Sequence, residues 1–589
     1  MTTLGSSRRK TAVASAIAVA ALLSTAACGG GGKDDKGDGP GFNAGNSKVA
    51  NASTKKGGTL KFIGTQEADS WDPQRGYYGF MWDFARYYTR QLITYKPAPG
   101  KESETLVPDL ATGLAKVSAD RKTYTYTLKD GIKWQDGKPI TSKDIKYGIE
   151  RIWADKVISG GPVYLQQVLD PDKKYPGPYE DKSKDKLGLK QIETPNDKTI
   201  VFKLPKPNVD FEQMLAMPSG TPVRQDMDTK SKYGLKPFSS GPYQFQSYSP
   251  NKKMELVRNK NWDKSTDTAR AALPDKITVD FITNSDEMDN RLLNGDYDVD
   301  INGTGLGAAG RAKAIRDHRG NVDNPDTGYI RYAAFPQTVK PFDNIHCRKA
   351  VIYGADHKSL QNARGGPQAG GDIGTNMLPK NIGGADPKYD PYGQAANGGK
   401  PNIAKAKEEL KACGKPSGFK TTIAVRNNKA VEVDTAQSLQ ASLKKIGIDA
   451  DIDQYDGSQT AGIIGNPKVV KDKGYGIIIM GWGPDFSSGQ GYMQPLVHSK
   501  YILSSGNNNY SMLKDKSIDA LFEKAASQAK TPEEASKYYT EINKKVSEHA
   551  VYLPFVFEKN LKYRSTRLTN AYTTTNNNGF YDYASLGVK

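Results

Sequence analysis

The chain has 589 residues, with 83 Lys and Arg against 65 Asp and Glu, a formal net charge of +18 at pH 7. Apolar residues make up 37% and charged residues 25%, which excludes a polytopic membrane protein or a coiled coil and fits a body of roughly two to four domains. Three Cys cannot staple a chain of this length, so a packed core that draws on 32 Tyr and 17 Phe has to hold it.

Arg8, Arg9 and Lys10 precede an unbroken small and apolar run, residues 11–27. The run is short and alanine-rich for a transmembrane span. It has the layout of a secretory signal: a basic start, an apolar middle and small residues before a cut. Its end, Thr25-Ala26-Ala27-Cys28-Gly29, resembles the bacterial lipoprotein cleavage box, with Thr25 where that box usually has Leu. The resemblance implies that residues 1–27 are a signal peptide and that Cys28 carries acyl chains. Arg8-Arg9 leaves both general and twin-arginine export open. Residues 28–56 have almost no large apolar side chains and are expected to be a lipid-anchored flexible tether, with a reach on the order of 30 Å.

Residues 59–64 read as a strand, as do residues 123–128, where Thr alternates with Tyr and Leu before the turn signal Lys129-Asp130-Gly131. Thr141 to Asp144 forms a capping box with Asp in place of Glu and opens a helix through Trp153. Residues 276–282 and 298–301 are further strands. In the second half, Asn402 caps a helix over 403–413 that Gly414 stops. A strand over 421–425, a helix over 430–446 and a strand over 448–452 then make a βαβ unit. Residues 475–480 are a strand of the buried type. Thr531-Pro532 opens a helix to about residue 547, and residues 551–557 are a last strand. The class is mixed α and β with at least two cores. Basic residues are interleaved with acids and no nucleic-acid module stands among them, so no nucleic-acid partner is expected.

Several blocks together resemble the extracytoplasmic solute-binding proteins of ABC importers, family 5. They are Asp72-Pro73; Leu128, Gly131, Asp136-Gly137, Pro139-Ile140 and Asp144; Ser240-Gly241-Pro242-Tyr243; Arg258-Asn259 with Trp262; residues 292–301; Pro341-Phe342-Asp343 with Ala355-Asp356; and Gly481-Trp482-Gly483-Pro484-Asp485. They keep the family's order along nearly everything after the tether. The resemblance implies an α/β, two-lobed, hinged periplasmic-binding-protein fold of the large peptide-binding type. Lobe I would span 57–326, with an extra subdomain at about 99–224, and lobe II 327–554. Residues 555–589 would return to lobe I, with hinge crossings near 329–335 and 552–557. It further implies a monomer that captures oligopeptides or dipeptides and delivers them to a membrane permease with its ATPase subunits. No cofactor, metal or reaction is expected. Another solute (a metal chelate or an oligosaccharide), or a signalling or structural lipoprotein on the same fold, are the alternatives.

In the peptide-binding branch the acid matching Asp485 receives the ligand's α-ammonium, and a carboxylate in a closing cleft suits that task. Trp482 beside it is a candidate for packing on bound side chains or in the core. Tyr77 and Tyr78 are candidate aromatic contacts, while Phe80, Met81 and Phe84 have core spacing. With Cys28 assigned to lipid, Cys347 and Cys413 are expected to pair in an exported protein. Gly305 to Gly310 fits G-x-G-x-x-G, but its strand belongs to the family block before it, so a loop at the edge of lobe I is expected rather than a dinucleotide site. The five His show no metal-ligand spacing, and no nucleophile motif occurs.

Overall fold

The computed structural model describes residues 41–589, apart from the side chain of Ser458. The expected signal, Cys28 and the start of the expected tether lie outside these residues. Residues 41–56, expected in the tether, are instead packed. The amide of Asn43 donates to Val322 O at 2.9 Å and that of Gly45 to Asp323 Oδ1 at 2.8 Å. Ala50 is fully buried and bridges Ala571. The guanidinium of Arg319 lies over the Phe42 ring at 4.6 Å. A polar segment cannot build a core of its own, yet its backbone can satisfy itself along the edge of another.

Three sheets organise the body. The first has five strands in the order Val299–Asp300, Thr59–Gly64, Lys276–Phe281, Lys253–Arg258, Tyr243–Ser249. Thr59–Gly64 is parallel to Lys276–Phe281 and to Val299–Asp300, and the rest is antiparallel. Leu60, Phe62, Met254, Leu256, Ile277 and Val279 lie fully buried in its core. Tyr581, Tyr583, Leu586 and Val588 join that core, so the C-terminal segment returns to it. The second sheet is a four-stranded antiparallel insertion between residues 116 and 203. Helix Ser142–Glu150 packs beside it, and its capping box is formed: Thr141 and Asp144 exchange side-chain-to-backbone hydrogen bonds. This satisfies amides at the helix start that have no intrahelical partner.

The third sheet has six strands: Asp372–Ile373, Tyr552–Lys559, Asp326–Ala334, Tyr475–Trp482, Lys420–Arg426 and Asp449–Tyr455. The βαβ unit is present, with Lys420–Arg426 parallel to Asp449–Tyr455 and helix Ala430–Lys444 between them. Tyr475–Trp482 has apolar residues pointing to both faces because both faces are covered. Cys347 and Cys413 form a disulfide between helix Ile345–Gly354 and the end of helix Ile403–Ala412, with Cα atoms 5.2 Å apart.

The expected crossings fall inside this sheet. Asp326–Ala334 and Tyr552–Lys559 pair with each other, Ala334 opposite Tyr552 and Asp326 opposite Lys559. A boundary at 554–555 therefore cuts a strand. Just beyond these strands Val322–Asp323 pairs with Lys562–Tyr563.

Candidate functional site

The site is built on the segment that follows Tyr475–Trp482. Gly483 runs against the Tyr329 ring so closely that a Cβ would stand 2.3 Å from it, which explains a glycine there. Pro484 lies beside Gly328, whose φ of +74° a side chain would strain. Asp485 is thereby pushed out of the third sheet toward the first. Ser488 then caps helix Gly489–Val497 by accepting from the Gln490 amide.

Two tyrosines from the other half meet Asp485. Tyr77 Oη and Tyr164 Oη both donate to Asp485 Oδ2, each at 2.5 Å. Tyr77 sits in a loop fixed at both ends. Arg151, fully buried, grips Asp72 with two bonds of 2.9 and 2.7 Å, and Trp82 Nε1 donates to Gly76 O at 2.9 Å. The Tyr77 and Trp82 rings stack, centroids 5.4 Å apart. Tyr164 starts helix Tyr164–Leu169 and meets Phe486 edge-on at 5.4 Å. Gly161, just before it, passes so near Gln74 that a Cβ would stand 1.9 Å from that carbonyl oxygen. The two tyrosine-bearing segments are thus packed on each other.

Burial pushes the Asp485 carboxyl up to about 6, and the two hydroxyl donors partly offset the rise. Burial, then the charge of Asp485, holds both tyrosine hydroxyls well above their ordinary value. Tyr77 still exposes 39% of its surface, so it remains reachable from solvent.

Other contacts cross the same seam. Asp210 Oδ2 accepts from Ser488 Oγ at 2.8 Å and Tyr539 Oη at 3.2 Å, and burial pushes its carboxyl up to about 6. Arg121 donates to the carbonyls of Ser527 and Ala529. Tyr501 Oη donates to Gln167 at 2.9 Å. The two halves are closed on each other around Asp485.

The structure brings Asp485 and Tyr77 together. Tyr78 lies instead against Phe80, with ring centroids 5.5 Å apart, and caps helix Gly79–Ala85. Trp482 packs at the edge of the third sheet's core, its indole N–H buried without a partner. Phe80, Met81 and Phe84 are buried in the first core. Tyr164 carried no sequence signal, since it stands 321 residues from the acid it serves. At the G-x-G-x-x-G segment, Asp289 Oδ2 accepts from the Gly307 amide at 2.8 Å, and a Cβ on Gly310 would stand 2.4 Å from that oxygen. A carboxylate already occupies the place a pyrophosphate would need. Among the described residues no cluster of His, Cys, Asp and Glu has metal-binding geometry.

A two-lobed closure around a carboxylate is the geometry of a solute trap, and sequence comparison decides which kind. A family model of the bacterial extracellular solute-binding proteins, family 5, matches residues 105–503. The chain belongs to that family. Family 5 proteins are the solute-binding components of ABC importers. The glutathione-binding protein GsiB of Salmonella paratyphi A is 25% identical over 501 residues, covering 84% of this chain and 88% of its own. Heme-binding protein A of Haemophilus influenzae is 25% identical over 487 residues, covering 79% and 80%. Among solved structures, the clavulanic acid biosynthesis oligopeptide binding protein 2 superposes with a TM-score of 0.88 at 35% identity, covering 93% of this chain and 99% of that one. Helicobacter pylori DppA, solved with the peptide STSA, shares the fold with a TM-score of 0.70 at 22% identity, covering 91% and 99%.

Proposed function

We propose that this family 5 protein captures oligopeptides between its lobes and delivers them to an ABC permease, whose ATPases drive uptake. The observation that carries this reading is Asp485, a half-buried carboxylate from one lobe set at the seam between two hydroxyls of the other. A peptide's α-ammonium brings three donors and a positive charge, so it replaces or joins those hydroxyls with charge-assisted bonds. The oligopeptide binding named in the 35% identical structure supports the same ligand class. The peptide would lie extended, its backbone paired in the manner of an added strand. We read the protein as a monomer, held to the outer face of the cytoplasmic membrane by acyl chains on Cys28, and as a binder that performs no reaction. Among the described residues no helix is long and apolar enough to cross a membrane.

Mass spectrometry of the material released on denaturing the purified protein tests the reading. Peptides of mixed sequence and narrow length are expected. A sugar, a metal chelate or a haem as the sole released species would refute it. Labelling with radioactive palmitate, lost in Cys28→Ser, tests the anchor.

A further inference from the structure

Beside Asp485 lies a small recess with about 40 Å³ of room for water-sized solvent, continuous with the solvent outside. Its walls include the Trp82 ring, Gln91, Tyr95, Asn576 and Asp485 itself. Three of these side chains carry buried polar atoms without a hydrogen-bond partner: Gln91 Oε1, Tyr95 Oη and Asn576 Oδ1. Gln91 is only 2% exposed, and its Nε2 is turned to Thr221 Oγ1 at 3.4 Å. Burying an acceptor without a partner costs roughly 1–3 kcal/mol, so such atoms point to a ligand that satisfies them.

Charges of both signs surround the recess. Arg86 lines it, but its guanidinium is held between Asp83 at 3.1 Å and Asp582 at 3.0 Å, so its charge is countered. Asp210 and Glu104 are the charges that act on the Tyr95 hydroxyl from behind. Burial disfavours the charged form of all three carboxyls, raising Asp485 and Asp210 to about 6 and Glu104 to about 7, so Glu104 is only partly ionised near neutral pH and has Lys101 beside it. A cation entering this recess meets unpartnered acceptors, the Asp485 carboxylate and the Trp82 indole, a ring that favours cations and stacked planar groups.

We propose that the recess is a side-chain pocket for a guanidinium, selecting peptides whose first residue is arginine. The proposal rests on the peptide reading above, with the amino end at Asp485. A guanidinium suits better than an ammonium because its five N–H donors form a rigid planar fork. That fork supplies the donors that Gln91 Oε1 and Asn576 Oδ1 lack, in a recess that Trp82 also lines. An uncharged isostere keeps the shape and loses the attraction.

Calorimetric titration of the purified protein with four peptides Xaa-Ala-Ala-Ala tests this, Xaa being arginine, lysine, citrulline or norleucine. The arginine peptide is expected to bind at least tenfold more tightly than the citrulline peptide, and more tightly than the lysine peptide. Gln91→Met is expected to weaken the arginine peptide about fivefold or more and not to weaken the norleucine peptide, whose apolar side chain gains a more apolar wall. Asn576→Ala, in a half-buried loop, gives the same readout should Gln91→Met not fold. Binding of all four peptides within twofold would overturn the pocket and leave the peptide reading standing. Equal affinity for arginine and lysine would overturn the guanidinium assignment. No binding by any of the four would overturn the peptide reading and the pocket with it.

Discussion

Replacing Asp485 by Asn separates two effects that the wild-type side chain combines. Asn keeps an oxygen for the Tyr77 and Tyr164 hydroxyls but has no charge. For the ligand, one charge-assisted hydrogen bond is lost, worth about 1.5–3 kcal/mol. That corresponds to roughly a 10- to 150-fold rise in Kd. For the protein, the sign is opposite. Burial in this closed arrangement pushes the carboxyl from its ordinary 3.8 up to about 6, so keeping it ionised there above that pH costs about 3 kcal/mol relative to a fully solvated carboxylate. Asn removes this cost and favours the closed form. The assay is calorimetric titration with a free and an N-acetylated peptide, alongside small-angle scattering without added peptide. Wild type should lose the same factor on acetylation that Asp485→Asn loses with the free peptide, and the variant should not discriminate the two. Its radius of gyration should not exceed that of wild type. Affinity unchanged within threefold in the variant would refute the role given to Asp485.

The same carboxyl sets a pH dependence. Closing takes up protons there, so its contribution to closure is complete below about pH 4 and is lost as pH rises through about 6. Scattering without peptide should therefore show a more compact protein at about pH 5 than at about pH 7.5, a trend reduced in Asp485→Asn. Arg151→Met should cost about 3–5 kcal/mol in urea unfolding, because Asp72 and Asp228 stay buried without their partner. Cys347→Ala with Cys413→Ala should lower stability by about 2–4 kcal/mol while peptide affinity holds, since the bond ties helices packed on one sheet. Starting the chain at residue 57 instead of 41 should lower the melting temperature, because the Ala50 and Gly45 contacts are lost.

Much of the scaffold was legible in the sequence because local signals are strong there. The box at Thr141 and Asp144, the stop at Gly414 and the βαβ pattern over 421–452 each act through neighbours in the chain. Asp72 was legible as part of a motif but not in its role, which is to hold the Tyr77 loop through a buried arginine 79 residues away. Tyr164 and Gln91 gave no signal, since each matters only for what the fold sets opposite. The packed stretch 41–56 misled for a related reason: composition reports whether a segment can bury itself, not whether another surface will hold its backbone. The spans expected to cross lie in two strands paired with each other through Lys559, a pairing that cannot be read from one strand alone.

Gly483 and Pro484 lie on Tyr329 and Gly328, in the very strand that leads into the crossing between the halves. On the proposed reading, the residue that would grip the ligand is therefore built directly onto the strand about which the lobes would turn. A displacement imposed close to an axle is multiplied in proportion to distance from it. A nudge at Asp485 too small to disturb its own packing becomes a wide swing at the rim of the lobe, where a permease would read whether the protein is loaded.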